Sequence, residues 1–508
     1  MEKNGREFLG LVCGLYMTVL LAVLPLYTGQ GYWQLGEMKY LLFRNVSVLC
    51  LGVWLVLSLF LIRRKTWRGF SAVDVAVLAY GLCVLLSAAF SEYAGTELPW
   101  QGWEGWHMGA FSRLGLAAVY FFVSRQYSGS RYPLYLGEAA LGAVTVLGLL
   151  HRLGIDPLGL LALYNPGDWE YTHMISTIGN INWLCGFYSA ALAVPLAHYL
   201  REKRKGAVAA LYVLNTAAFF LLLIQGSYSG LLIPAAAAAV CFFLPEKAPE
   251  RLGRMLRLAA GAMLLMPVWQ GLMKIAGEKA VVAADGNLFA VTVWQGWAAA
   301  GLGCLFISVL CPRLSEKTVR RAGIALGILG AAAVLAWGGR LLATGGPGDA
   351  FGSGRGYLWR ISLQSFREAD FRQKLLGAGP DCFGRAVFER YTGSRTVWQG
   401  THWENAIFTN AHCELLTHLT EVGLLGTAAY LMIFAAAFRR YRRLPLGQLV
   451  LAMYGVYSFV SFQQVLSTPI LFLTLGICER SLSVAEPGRS IGEEPVPGIG
   501  PEPGRSNI

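Results

Sequence analysis

Charge is scarce in this 508-residue chain: 14% of its residues are Asp, Glu, Lys or Arg, against 55% that are hydrophobic. A soluble protein needs a larger polar surface, so the balance excludes a water-soluble globular domain and points to an integral membrane protein. Other absences narrow the chemistry. The ten cysteines include no Cys-x-x-Cys pair and the chain has no His-Glu-x-x-His, which disfavours the zinc site that His412, His418 and a carboxylate could in principle form. No Walker loop, Gly-x-Gly-x-x-Gly or Gly-x-Ser-x-Gly stands in a strand-turn-helix setting, which excludes a nucleotide pocket and a serine nucleophile; no cofactor is expected. A large internal repeat is also missing, which disfavours a transporter built of symmetric halves.

What the chain has instead is apolar runs long enough to cross about 30 Å of hydrocarbon as helix. Fourteen candidates stand at 8–27, 40–62, 72–91, 108–123, 134–151, 183–200, 207–224, 230–244, 257–275, 287–311, 322–343, 413–437, 445–462 and 466–478. The expectation is an all-α polytopic membrane protein. Connections 63–69, 124–132, 201–205, 247–257, 313–321 and 439–443 hold 22 Lys and Arg, whereas the alternate connections hold three, Lys39, Arg152 and Lys279. Basic short loops stay in the cytoplasm. Both termini are therefore expected inside, and the long 344–412 segment outside. The net charge of +12 is a topology signal. Its basic residues are dispersed over inner loops, where membrane lipids meet them, and nucleic acid is not an expected partner.

This divides the chain into membrane helices 1 to 11 (1–343), an extracytoplasmic loop (344–412), membrane helices 12 to 14 (413–480) and a disordered cytoplasmic tail (481–508) rich in Pro, Gly and Glu. The first apolar run lacks a small-x-small cleavage site and reads as a span. Most cysteines sit in spans as small apolar fillers. Cys382 and Cys413 fall outside, where an oxidising compartment could join them.

The outer segment is the polar exception. Arg355, Arg360, Arg367, Arg372, Lys374, Arg385, Arg390 and Arg395 stand in it against six acidic residues. Seven of the eight are Arg, whose planar fork grips phosphate oxygens. Trp359, Leu363 and Phe366 recur at i, i+4, i+7, with Arg360, Gln364 and Arg367 on another face, which predicts an amphipathic helix. Gly377-Ala378-Gly379-Pro380 then forces a turn. Trp398, His402, Trp403 and Phe408 supply aromatics typical of a membrane interface or a sugar platform. His412 opens the twelfth run, and Glu414, His418 and Glu421 share one helix face behind it. Ionisable groups at the end of a span are functional candidates because they are costly there.

Ser353-Gly354-Arg355, Leu358-Trp359, Phe366, Leu376-Gly377-x-Gly379-x-x-x-Phe383, Ala411-His412-x-Glu414-Leu415-Leu416 and Glu421-x-Gly423-Leu424-Leu425-Gly426 together resemble the core of the O-antigen ligase and Wzy-type polymerase superfamily. Thr177-x-Gly179-Asn180-x-Asn182 resembles a second block. The resemblance covers roughly residues 175 to 430. It implies a GT-C-like helical glycosyltransferase in a bacterial cell membrane, with an undecaprenyl-diphosphate-linked glycan donor, a glycan, lipid or protein acceptor, and no metal.

Carried over by position, Arg355 matches the Arg that binds the lipid diphosphate and His412 the base that activates the acceptor hydroxyl, so both are candidate catalytic residues. Arg360, Glu414, Asn180 and Arg340 are candidate substrate-binding residues. Two positions depart from the pattern. Gln225-Gly226-Ser227-Tyr228-Ser229 lacks the second phosphate-binding Arg, with Arg44, Arg113 and Arg340 as candidate replacements, and Cys413 replaces the Asn that follows the His. Three classes follow: a glycan-transferring ligase or polymerase, a lipid-linked oligosaccharide flippase, and a catalytically silent scaffold. The Arg355 and His412 blocks favour the first.

Overall fold

A computed structural model of the protein describes residues 2–61, 69–165, 168–244, 247–277, 291–343, 347–391, 399–400 and 404–485. Arg63, Arg64, Lys65, Arg68, Lys279, Arg395, Trp398, His402, Trp403 and the tail from 486 lie outside these residues.

Among the described residues, helices occupy all fourteen apolar runs. They are α1 (Glu2–Thr18, continued by a π-turn, Val19–Val23, and Leu24–Leu26), α2 (Leu35–Leu61), α3 (Ala72–Ala89), α4 (Ala110–Gln126), α5 (Tyr132–Arg152), α6 (Ile181–Ala191) and α7 (Ala193–Arg201). After them come α8 (Lys205–Ile224), α9 (Tyr228–Cys241), α10 (Ala248–Ala276), α11 (Trp297–Leu310) and α12 (Glu316–Ala343). Helix α13 (Phe351–Glu368) lies in the outer segment, and α14 (Glu414–Glu421), α15 (Gly423–Arg440), α16 (Pro445–Ser458) and α17 (Thr468–Ala485) complete the set. Among the described residues, eight helical segments are long and apolar enough to cross a membrane, and the only strands are β1 (Met174–Ile175) and β2 (Gly179–Asn180), paired antiparallel. A helix satisfies its backbone polar groups internally, as an apolar run away from water must. Its apolar surface also faces outward: Phe60 is 80% exposed and Leu335 74%. Lipid covers such a surface, whereas in water it would drive association. The chain is an all-α, multi-pass membrane protein.

Helix α16 is the hub. Pro445 starts it, where a missing N–H costs nothing, and it packs against α6, α7, α9, α15 and α17. Helix α4 packs on α3 and α17, and α15 on α3, while α12 packs on α10 at the edge of the bundle. One polar network gathers at the bundle end that carries the basic connections. Ser71 and Asp74 form a reciprocal capping box on α3, Asp74 also pairs with Arg125 at 3.0 Å, and Arg440 grips Glu479 at 2.8 Å.

At the opposite end residues 347–391 form a folded cap. Tyr357, Leu358, Ile361, Phe383, Val387 and Phe388 form a second apolar core there. Helix α13 is amphipathic, but its buried stripe is Leu358, Ile361, Ser362 and Ser365, one position away from the expected Trp359, Leu363 and Phe366. The helix turns Tyr357, Leu358 and Ile361 into the cap core, while Trp359 and Phe366 are half-buried and Leu363 is exposed. The run 413–437 is likewise two helices. Gly423 takes φ +65°, and the cap docks on the break. Cys382 and Cys413 are both buried free thiols, not a disulfide.

Candidate functional site

The site is built where the cap meets the α14–α15 break. Gly377 has φ +79° and Gly423 φ +65°, and a Cβ on either would lie within 2.4 Å of the other segment's backbone. The glycines let two backbones touch: Ala378 N donates to Thr420 O and Gly379 N to Glu421 O, both at 2.9 Å. Ser91 Oγ donates to Ala378 O at 2.5 Å and Ser87 Oγ to Glu421 O at 2.8 Å, tying both to α3. Asp381 then reaches back, its Oδ2 accepting from Trp103 N at 2.7 Å and Met108 N at 2.9 Å. Burial raises the Asp381 carboxyl above the usual range. The motif glycines are thus places where a side chain cannot fit.

Beside this platform Arg355 and His412 both reach the loop between α16 and α17. Gly352, Ser353 and Gly354 all take left-handed backbone, turning α13 so that Arg355 Nη1 donates to Gly352 O at 2.8 Å and Nε to Val460 O at 3.2 Å, in the loop between α16 and α17. His412 has φ +48°; Asn410 Oδ1 accepts from its backbone N at 3.0 Å. Its ring stands edge-on to Phe462 at 5.0 Å and Phe408 at 6.0 Å, and its Nδ1 is buried without a hydrogen-bond partner among the described residues. Burial, and after it the positive charge of Arg355, pulls the imidazole down from 6.5 to about 3. The ring is neutral across the physiological range. Ser353, Asp381 and His412 are all non-glycine residues at positive φ. Such strain persists only where surroundings over-determine it, and it gathers at functional sites.

Beside His412 lies a polar slot, with about 20 Å³ of space for the centres of water-sized molecules. Asn410 and Phe462 are common to the two. Arg113 on α4 forms a buried ion pair with Glu421. His418 Nε2 meets the Tyr80 hydroxyl at 2.9 Å while its Nδ1 faces Glu414 O at 2.8 Å, which sets the Nδ1–H tautomer. Glu414 accepts from Tyr430 at 2.5 Å and Tyr454 at 2.9 Å. The shared face of Glu414, His418 and Glu421 therefore lines one slot.

The remaining expected residues distribute as follows. Glu414 is held by the two tyrosines and does not orient His412. Arg360 donates to Asp349 through Nε and Nη2, one edge of its guanidinium, at 2.9 and 2.7 Å on the exposed side of α13. Arg340 is exposed on α12, and Arg44 lies against Asn45 and the Tyr40 ring. Arg113 alone of the three replacement cations lines the slot. Asn180 caps α6, its Oδ1 accepting from Asn182 N at 2.8 Å. Asn182 accepts in turn from Ser227 Oγ at 2.8 Å.

Two groups escaped the sequence reading. Arg152 is buried and donates to Gln225 O at 2.7 Å and Thr172 O at 2.8 Å, so α5 delivers an Arg to the loop that lacks one of its own. The second is Ser461-Phe462-Gln463-Gln464. The reading puts Ser461 and Phe462 at the end of the run 445–462 and Gln463 and Gln464 in the short uncharged connection after it, yet Phe462 and Gln463 line the slot, next to the Val460 carbonyl that Arg355 bonds; the signal was the polar Gln463-Gln464 pair between apolar runs. Comparison with protein-family models and with curated proteins gave no match for this chain.

Proposed function

We propose that this protein is a glycosyltransferase of the O-antigen ligase and polymerase type, with fourteen spans in a GT-C-like arrangement, both termini in the cytoplasm and the cap at the outer face of a bacterial membrane. It would move a glycan from undecaprenyl diphosphate to an acceptor without a metal. The observation that carries this reading is that Arg355 and His412, 57 residues apart in sequence, both reach the loop 460–462, close enough for the guanidinium charge to act on the imidazole.

The chemistry balances as follows. The acceptor hydroxyl oxygen attacks the anomeric carbon, and the bond from that carbon to the diphosphate oxygen breaks. The leaving diphosphate keeps the electron pair beside Arg355, and the hydroxyl proton passes to His412. A fixed cation in a partly dehydrated site stabilises charge that develops on the leaving group. An imidazole at about 3 is a weak base in the empty site. A diphosphate next to Arg355 offsets the guanidinium field and raises its basicity, so the base strengthens when the donor is in place.

The test is purified protein with a lipid-diphosphate glycan and its acceptor. Arg355→Ala and Arg355→Lys are both expected to abolish transfer while the protein stays in the membrane, because Lys lacks the fork that holds two phosphate oxygens. Near-normal product from the Lys variant removes the bidentate role. Wild-type protein that never releases undecaprenyl diphosphate removes the enzyme reading.

A further inference from the structure

The slot beside His412 is chemically unlike the Arg355 site. One cation, Arg113, faces three carboxylates there, Glu414, Glu421 and Asp381. A phosphate oxygen only accepts hydrogen bonds and would sit against that acid. The slot also holds polar atoms that nothing among the described residues satisfies. Gln463 is 7% exposed, faces the Tyr80 hydroxyl, and completes no hydrogen bond with either amide atom. Glu421 Oε1 and Arg113 Nε and Nη1 are likewise buried and unpartnered.

An unsatisfied buried polar group costs about 1–3 kcal/mol, and several facing one cavity call for an occupant. That occupant must both donate, to Glu421 and the Gln463 oxygen, and accept, from Arg113 and the Gln463 nitrogen. A hydroxyl does both. The space admits about one water-sized group. Its wall is aromatic: Trp106 and Phe462 stand edge to face at 4.9 Å, and Trp183 continues the wall at 5.8 Å from Trp106. Aromatic rings cover the C–H faces of a sugar while polar groups take its hydroxyls.

We infer that this slot is a sugar subsite: it takes one hydroxyl of a neutral pyranose whose ring lies against Trp106 and Phe462, with Gln463 as its specificity-determining residue. Resting on the proposed transferase reading, it places the acceptor sugar, whose reacting hydroxyl must reach His412, against Phe462, the ring that stands 5.0 Å from the His412 imidazole. It also separates the site into an anion half at Arg355 and a hydroxyl half at Gln463.

The test uses full-length protein in detergent, a panel of methyl hexopyranosides followed by saturation-transfer NMR, and inorganic pyrophosphate as the anion probe. At least one glycoside is expected to bind the wild type, to bind Arg355→Ala equally, and to lose at least tenfold in affinity for Gln463→Leu. That variant should melt at or above the wild-type temperature, since leucine removes an unsatisfied amide. Trp106→Leu, which removes only the wall, is expected to lose the glycoside as well and stands in if Gln463→Leu fails to fold. Pyrophosphate should show the reverse pattern, lost in Arg355→Ala and kept in Gln463→Leu. The inference is overturned if no glycoside binds the wild type, which would leave a water-filled slot, if Gln463→Leu or its stand-in binds as the wild type does, or if pyrophosphate displaces the sugar. Failure of pyrophosphate to bind the wild type, with glycoside binding intact, would instead strike the transferase reading alone.

Discussion

Replacing Gly377 by Ala tests the construction of the whole site. The added Cβ would lie 2.2 Å from the carbonyl carbon and oxygen of Glu421 and 2.4 Å from Val422 N. All three are backbone atoms, so no side-chain rotation relieves the overlap. The conformation itself, φ +79° and ψ −177°, belongs to a region open almost only to glycine and costs another residue about 1–3 kcal/mol. If the segments part to make room, the Ala378–Thr420 and Gly379–Glu421 hydrogen bonds go too, at about 0.5–1.5 kcal/mol each. The sum is about 2–6 kcal/mol. A matched control exists in Gly455, inside α16, where a Cβ meets nothing within 4 Å; Ala there should stabilise by about 0.5–1 kcal/mol. Thermal unfolding in detergent, read by tryptophan fluorescence, should show Gly377→Ala melting several degrees low and Gly455→Ala level or slightly high. The same Gly377 variant should lose transfer activity, because the displaced segment carries Asp381. A Gly377→Ala protein within a degree of wild type would refute the docking geometry.

His412→Ala should leave donor binding intact and cut turnover at least about 10²-fold, the lower end for a general base. His412→Asn, which tolerates the positive φ, separates base from structural role, and full turnover by it would exclude the base. Acid stability follows from the same residue. A folded value of about 3 against 6.5 unfolded means the unfolded chain binds the extra proton. Stability is then complete above about pH 6.5 and lost as pH falls toward 3, by up to roughly 5 kcal/mol. His412→Asn should flatten the melting-temperature profile over that window, and an unchanged profile would contradict the buried neutral imidazole. For topology, an alkaline phosphatase fusion near residue 395 should be active, and cytoplasmic labelling of a cysteine placed there would overturn the orientation.

Composition and apolar run length were enough to place the helices, because a chain in hydrocarbon has few ways other than helix to satisfy its backbone. The motif reading singled out Arg355, His412 and the face shared by Glu414, His418 and Glu421, all of them polar residues where polarity is expensive. It did not reach what those residues touch. Lys39 and Arg152 looked like exceptions to the charge rule; folded, Lys39 bonds the carbonyls of Leu24, Pro25 and Tyr27, and Arg152 those of Thr172 and Gln225. The break in the run 413–437 escaped hydropathy because its cause is a glycine pair forty-odd residues apart. Arg113 with Glu421 joins two helices, and Gln463 sets a loop against Tyr80 of α3, in pairings that no local period connects. A sequence pattern reports which side of a helix is apolar and where polarity is unusual, since those depend on near neighbours. Which polar groups face one another across the bundle depends on crossing angles and backbone contacts, and only the tertiary structure decides that.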